Sequence, residues 1–219
     1  MVPMPTRRTT VRRVPHRGVY DREVVHAILD AGKVAHVGFV HDAQPFVIPI
    51  AYARDGDRIL LHGSGGSRMM RALAAGAPAC VTVTIVDGLV LARSVFHHSM
   101  NYRSVVALGT ATKLDGKEKA AALETLVDAL VPGRSAEARG PNPAEMAATM
   151  ILAFPLEEAS AKVRSGPPVD DPEDVPLPIW AGTIPLALQC GQPQAAPDVP
   201  DDAPLPPSVA GLIRRSPAP

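Results

Sequence analysis

The stretch LHGSGGSRMMRAL (Leu61–Leu73) passes from an apolar segment through a glycine- and serine-rich turn into a second apolar segment. This pattern predicts the end of a strand, a polar turn and then a short helix whose two methionines face the core. A turn at the start of a helix presents free backbone N–H groups and the positive end of the helix dipole. With Arg68 as an added donor, the stretch is a candidate anion site, and an ordinary bend with Ser67 as the N-cap is an equal alternative.

Two familiar nucleotide-binding motifs are missing from this turn. The sequence contains no GxxxxGK[ST] motif, and the run from Gly63 to Arg68 lacks the third glycine of GxGxxG. The segments around it do not alternate between strands and helices, which argues against a Rossmann or P-loop site.

The segments on both sides of the turn alternate apolar and polar residues, which predicts strands. Strands are predicted over residues 34–40, 45–54, 58–62, 78–86, 89–96 and 101–114. Short polar turns such as Asp87-Gly88 join them, as in antiparallel hairpins. The expected fold is therefore mainly β with α (α+β), an antiparallel barrel or sandwich with one short inserted helix and peripheral helices.

Capping residues mark the peripheral helices. Asp21 is the predicted N-cap of the first helix, and Asp115 with Glu118 forms a predicted capping box for a helix over 116–130. Asn142-Pro143 begins another short helix, and two or three strands are predicted after it.

The chain divides into three predicted parts. These are an arginine-rich N-terminal arm (1–19), one domain (20–190) and a proline-rich tail (191–219) that we expect to be disordered. The tail prediction rests on prolines, because 14 of the 24 fall within the last 53 residues. We interpret the arm as solvated, with a phosphate-contacting arm as the alternative.

Charge and hydropathy narrow the function classes. Lys+Arg and Asp+Glu number 22 each, so no overall charge field attracts nucleic acid. No apolar run reaches the roughly 18 residues of a membrane span, and no secretory signal is visible, so we expect a cytoplasmic protein without a membrane or nucleic-acid partner.

A second polar cluster lies in FHHSMNYRSVV (Phe96–Val106). Side chains alternate along a strand, so His97 and His98 are expected on opposite faces, and no metal site is predicted. By the same rule Tyr102 and Ser104 share one face, whereas Arg103 lies on the other, where it either reaches solvent or holds an anion.

A third cluster is formed by Lys162 and Arg164 in the segment SAKVRSG. Alternation places these two cations on one face of a strand. We interpret that face as solvated.

In this order and spacing, the segments PFVIPIAYARDGDRILLHGSGGSRMMRAL, CVTVTIVDGLVLARS and FHHSMNYRSVVALGTATKL resemble the pyridoxamine 5′-phosphate oxidase-like flavoproteins. The HG…SR turn, the NYRSVV strand and the segment AKVRSGPPVDDPED…PIWAGTIPL are most similar to the nitroimidazole-resistance (Nim-type) branch. The resemblance covers residues 20–188. It implies a split β-barrel that forms a homodimer and binds FMN non-covalently at the subunit interface.

Position by position, the resemblance implies that the turn holds the FMN phosphate and that Arg68 is its main cation. It places His62 and Gly63 beside the flavin or the substrate pocket. Flavin chemistry needs no dedicated catalytic acid, and His62 is the candidate catalytic residue because it could donate a proton to a reduced substrate. The residues implied for the cofactor site are His62, Gly63, Ser64, Ser67, Arg68, Thr82, Tyr102, Arg103 and Ser104. Relatives often carry glycine and lysine where this chain has Ser67 and Met69, so one phosphate-binding cation is missing. Its candidate replacements are Arg71, Arg103 and Lys162.

The predicted function is an FMN-dependent oxidoreductase that reduces a small organic molecule. The pattern for vitamin B6 synthesis is incomplete, and the sequence contains no GxSxG nucleophile elbow for hydrolysis. The alternative is a non-catalytic flavin- or haem-binding protein on the same fold. In that case His62, His97 or His98 would be the axial haem ligand.

Overall fold

The computed structural model describes residues 5–200 and 202–214 of the chain. The strands are β1 (Gly18–Val19), β2 (Val34–His41), β3 (Gln44–Asp55), β4 (Arg58–Ser64), β5 (Ala79–Leu91), β6 (Ser99–Gly109), β7 (Thr112–Leu114), β8 (Thr149–Pro155), β9 (Ala159–Arg164) and β10 (Gly182–Pro185). The helices are α1 (Arg22–Ala31), α2 (Arg68–Ala74), α3 (Gly116–Leu130), α4 (Pro143–Ala148) and α5 (Pro207–Arg214). Short 3₁₀ turns lie at Pro15–Arg17, Val95–His97 and Arg134–Ala136.

All strand pairs that the structure describes are antiparallel. The strand order is β1-β9-β6-β5-β2-β3-β4-β8-β7, and β10 lies along β5. β3 changes partner along its length, because residues 44–51 pair with β2 and residues 52–55 pair with β4. The predicted fold class is therefore confirmed: the sheet is mostly antiparallel, open and consistent with a split barrel.

Two apolar cores hold the sheet and its helices together. The main core lies inside the curved sheet and receives Ile28 and Leu29 from α1 and Met70 and Leu73 from α2. The second core lies under α3, where Leu126 packs with residues of β4 and β8. β4 and β8 are therefore covered on both faces, which explains their nearly unbroken apolar sequence.

The capping of α1 and α4 follows from side-chain oxygens that accept backbone hydrogen bonds. The carboxylate of Asp21 accepts the N–H of Glu23 at 2.8 Å, as the sequence predicts. The predicted capping box at Asp115 is wrong, because its side chain makes no capping hydrogen bond and pairs with Lys113 at 3.0 Å. A capping box forms instead at Asn142, the N-cap of α4.

The predicted turn at Asp87-Gly88 is also wrong. β5 runs through it as one strand with a β-bulge between Val86 and Gly88. A Cβ on Gly88 would lie 2.8 Å from the carbonyl oxygen of Ile184 in β10. The glycine therefore permits the close approach of β10 to β5, and this approach replaces the expected hairpin.

The predicted strand over 101–114 is divided in the structure into β6 and β7. His97 and His98 lie in and just after a 3₁₀ turn, outside any strand. The expectation that they occupy opposite strand faces is therefore wrong.

Both chain ends contact the domain within the described residues. In the arm, Thr6 donates its hydroxyl to Glu158 at 2.8 Å, and Arg8 forms an ion pair with the same carboxylate. In the tail, α5 begins where the N–H of Ser208 donates to Glu137 at 2.9 Å. The arm is thus not wholly solvated, and the tail contains a docked helix.

Candidate functional site

The glycine- and serine-rich turn joins the end of β4 to the start of α2. Ser67 is the N-cap of α2, and its hydroxyl oxygen accepts the N–H of Met70 at 3.4 Å. The hydroxyl oxygen of Ser64 accepts the N–H of Gly66 at 3.1 Å, and the Ser64 carbonyl accepts the N–H of Ser67 at 2.9 Å. The turn therefore does act as an ordinary capped turn, and the hydroxyls of Ser64, which is exposed, and Ser67, which is partly buried, each keep a proton that they can donate to a ligand.

Arg68 is exposed at the first position of α2, and it has no ion pair among the described residues. Its guanidinium carbon lies 4.5 Å from the ring centroid of Phe46, a cation–π contact that holds the side chain in place. Met69, the next residue, is only 3% exposed and belongs to the main core. A lysine at position 69 would bury its charge, which accounts for the cation that this turn lacks.

His62 lies on β4, one residue before Gly63. A Cβ on Gly63 would approach the Cγ of Met70 to 2.9 Å, so the glycine allows α2 to pack directly on β4. The His62 side chain lies on the other face of β4, beside Ile151 of the second core, where it is partly buried. Its Nδ1 is buried without a hydrogen-bond partner in the described structure. An unpartnered buried imidazole nitrogen is costly, and metal coordination is one way to satisfy it.

The other two histidines considered as haem ligands differ from His62. Nε2 of His97 lies 3.1 Å from a carboxylate oxygen of Asp171. Nδ1 of His98 lies 3.0 Å from the carbonyl oxygen of Ser94. Only His62 of these three has a buried ring nitrogen without a partner.

A second group of predicted site residues lies on the outer face of the sheet, the face opposite the main core. Thr82 on β5 stands beside Val106 on β6, and the next outward pair is Thr84 with Ser104. Tyr102 is on the same face, as alternation predicts. The outer face of β5 and β6 therefore carries a row of hydroxyl groups.

His36 belongs to the same row, because it is the cross-strand neighbour of Thr82 from β2. It is exposed, and it is not among the residues predicted for the site. No local pattern marks His36, since its proximity to Thr82 follows only from the pairing of β2 with β5.

Arg103 points away from this row, as the sequence predicts. Its guanidinium donates two hydrogen bonds to Asp87, at 2.9 and 2.7 Å. These hydrogen bonds raise the pKa of Arg103. Arg103 therefore neither projects free into solvent nor holds a separate anion, because the carboxylate at the β-bulge already occupies its fork.

The family model for pyridoxamine 5′-phosphate oxidase matches residues 21–163 of the chain. The chain belongs to this family. No curated protein matches the sequence.

Two solved structures of flavin- and haem-associated proteins are similar to this family member over nearly their whole length. The flavocytochrome Anf3 from Azotobacter vinelandii is 41% identical, with a TM-score of 0.89 and coverage of 95% of this chain and 97% of that chain. An FAD and haem binding protein from Mycobacterium smegmatis is 43% identical, with a TM-score of 0.87 and coverage of 90% and 97%.

A candidate 5-nitroimidazole antibiotic resistance protein from Bacteroides thetaiotaomicron is a more distant relative in structure. It is 18% identical, with a TM-score of 0.57 and coverage of 67% of this chain and 86% of that chain. This likeness shows the shared fold alone.

Within this family member, the predicted site residues form two groups. The turn group comprises His62, Gly63, Ser64, Ser67 and Arg68, and the outer-face group comprises Thr82, Tyr102 and Ser104. No hydrogen bond or ion pair between described residues joins the two groups.

A mainly apolar cleft opens beside Phe46, the residue on which Arg68 rests. Its volume is about 560 Å³, and its walls include Phe39, Phe46 and Leu108, with Arg8 of the arm at its edge. A cleft with apolar walls and few polar groups suits a flat apolar ring system.

The described residues contain neither a metal-binding cluster nor a membrane-spanning helix. No group of three or more His, Cys, Asp or Glu side chains in residues 5–200 and 202–214 is arranged to hold a metal ion. Over the same residues, no helix is long and apolar enough to cross a membrane.

Proposed function

We propose that this chain is a redox protein that binds both a flavin and a haem. The observation that carries the proposal is the similarity, above 40% identity and over at least 90% of this chain, to a flavocytochrome and to an FAD and haem binding protein. Flavin and haem, which the sequence-based prediction gives as alternatives, are thus proposed to bind together. The proposed flavin is FAD, because the mycobacterial relative is described as binding FAD, and FMN is the other outcome of the test.

The residues of the turn fit a flavin phosphate. Arg68 is exposed and held over Phe46, so its N–H groups are available to an anion with little loss of side-chain freedom. The hydroxyl groups of Ser64 and Ser67 supply further donors. The hydroxyl row on the outer face, which contains Thr82 and Ser104, suits the polar edge of a flavin ring.

For the haem, His62 is the one of the three candidate histidines with a buried ring nitrogen that no described group satisfies. We propose His62 as the axial ligand, in preference to His97 and His98, which already have partners. This proposal assigns His62 the role of an iron ligand in place of the predicted role of proton donor.

When bound, a flavin exchanges hydride or single electrons and a haem exchanges single electrons. The contribution of this chain is to bind the two groups, to orient them and to exclude water with its apolar walls. We propose that the protein uses these cofactors as an oxidoreductase that reduces a small organic molecule.

We also propose that the protein is a homodimer that joins through the outer face of the sheet. Exposed valines surround the hydroxyl row there: Val34, Val40, Val47 and Val86. Apolar side chains left exposed in this number mark an interaction surface. A second copy would bring its own turn group towards the outer-face group, which a single chain does not do.

The test is the absorbance spectrum of the full-length protein as purified, read together with its mass in sedimentation. We expect flavin bands and a Soret band in one sample with the mass of a dimer. Acid-released flavin separated by chromatography identifies FAD or FMN. Colourless protein that takes up neither added flavin nor added haem would falsify the proposal, and a monomer with both bands would contradict the dimer alone.

Arg68→Glu is expected to weaken flavin binding by at least about tenfold, because a carboxylate replaces the main phosphate-binding cation. The measurement is quenching of flavin fluorescence during titration. The control is Lys117→Glu, which makes the same charge change on an exposed residue of α3, away from the turn. Equal losses in the two variants would contradict a specific role for Arg68 and would indicate a general effect of net charge.

A further inference from the structure

Three cations meet at one corner of the outer face, where β1, β9 and β6 lie side by side. Lys162 on β9 stands opposite Gly18 on β1 and opposite Ser104 on β6. Arg164 stands two residues further along β9, opposite Tyr102. Arg17 directly precedes β1. None of the three forms an ion pair with a carboxylate among the described residues.

Arg164 is the centre of this corner and is only 8% exposed. Its Nη1 and Nη2 donate to neutral oxygens alone: the side-chain oxygen of Asn101 and the carbonyls of Gly166, at 3.4 Å, and Pro167, at 3.3 Å. Its Nε is buried and has no partner in the described structure. The interpretation of a solvated face at Lys162 and Arg164 is therefore wrong for Arg164, because the loop after β9 folds over the guanidinium.

A buried cation without a counter-charge is unfavourable, and a second cation nearby makes it more so. Burial lowers the pKa of Arg164, and the charge of Arg17 lowers it further. The only described group that acts in the opposite direction is Tyr102. The corner thus concentrates positive charge that no described side chain neutralises.

We propose that Arg17, Lys162 and Arg164 form a binding site for the phosphate or pyrophosphate group of a nucleotide. Multiply charged phosphate oxygens match several cations at once, and the guanidinium of Arg17 and the ammonium of Lys162 would donate to them. Arg164 already donates through Nη1 and Nη2 to protein oxygens, so it contributes its charge from beneath the loop. The phenolic hydroxyl of Tyr102, on the same face, is a further donor. Within one chain the site is separate from the turn at Arg68, so each chain carries two anion sites.

Two sources supply such a phosphate. One is the adenylate half of FAD, and that assignment rests on the proposed function. The other is a nicotinamide dinucleotide that delivers electrons to the protein. The chemistry of recognition is the same for both, and the experiment distinguishes them.

The first experiment does not depend on the proposed function, because its probe is inorganic pyrophosphate. It is titrated calorimetrically at low ionic strength into full-length protein, both as purified and after removal of any bound flavin. Arg17→Gln and Lys162→Gln are each expected to weaken binding by about tenfold or more, as for a lost charge-assisted hydrogen bond. These two variants leave the loop contacts of Arg164 intact.

The matched control is Arg12→Gln, which removes the same charge from an exposed residue of the arm. Its affinity for pyrophosphate is expected to equal that of the unaltered protein. Absence of pyrophosphate binding in both forms of the protein, or equal affinity of the control and the two site variants, overturns the proposal.

The second experiment repeats the titrations with FMN, FAD, NADH and NADPH. If Arg17→Gln weakens the binding of FAD but not that of FMN, the site is assigned to the flavin. If the variant weakens the binding of a nicotinamide dinucleotide alone, the site is assigned to the electron donor. If pyrophosphate binding depends on the site but no nucleotide does, the nucleotide assignment is overturned. If only the FAD titration shows no effect of Arg17→Gln, the proposed flavin site at the turn is unaffected.

Discussion

His62→Ala is expected to lower the haem content of the purified protein by at least about tenfold, because it removes the proposed axial ligand. A tenfold loss corresponds to about 1.4 kcal/mol of binding free energy. The imidazole lies on β4 with one ring nitrogen buried and unsatisfied. An iron–nitrogen bond would satisfy it, and alanine offers no ligand. Soret absorbance per mole of protein, with haem extracted and quantified independently, is the measurement.

His97→Ala is the matched control, since it removes the same group from a residue whose Nε2 already lies 3.1 Å from a carboxylate oxygen of Asp171. We expect its haem content to be unchanged. The far-UV circular dichroism and thermal melting of both variants report on folding, and we expect both to stay folded because the neighbours of His62 on β4 are held by the two cores without help from the imidazole. Full Soret absorbance in His62→Ala, or its loss in His97→Ala, contradicts the assignment.

Local patterns in the sequence were sufficient for most of the fold. Alternation along β2, β3 and β6 predicts half-buried strands, and the cap at Asp21 predicts the start of α1. The prediction failed at Gly88, because glycine after aspartate is typical of both a hairpin turn and a close approach between strands. The approaching strand, β10, lies almost 100 residues further along the chain, and no local pattern reveals it.

The candidate site was predictable to the extent that it depends on spacing. The shared face of Tyr102 and Ser104 follows from alternation alone, and the structure bears it out. The partner of Arg103 does not follow from alternation, because the bulge beside Asp87 shifts the register. The burial of Arg164 depends on a loop that folds back over it, and residue type and spacing carry no sign of that loop.

Met69 shows that a departure from a family pattern can have two explanations. In the sequence, methionine at a position where relatives often carry lysine means that a phosphate-binding cation is lost. In the structure it is a core residue of α2 that packs with Met70 and Leu73. The helix is therefore turned so that position 69 faces inward, and the cation for the turn is left to Arg68, with Arg71 on the exposed side.

Phe154→Ala is expected to lower the free energy of unfolding by about 3–5 kcal/mol. Phe154, on β8, is 0% exposed and is among the largest fully buried side chains of the main core. Its removal leaves a cavity whose walls, on β4 and β6, are held by strand pairing and cannot close on it. Urea denaturation gives the change through the midpoint and slope.

The matched control is Phe96→Ala, which deletes the same side chain from a residue that is 88% exposed. We expect its free energy of unfolding to change by no more than about 0.5 kcal/mol, because in a single chain the Phe96 side chain is already exposed to water and its deletion removes almost no buried apolar surface. The comparison is repeated at two protein concentrations, because an interface over Phe96 would make the cost of this variant depend on concentration. A loss in Phe154→Ala no larger than in Phe96→Ala would contradict the assignment of Phe154 to the main core. Haem content per folded molecule should stay the same in both variants, because neither phenylalanine supplies the ligand that we assign to His62.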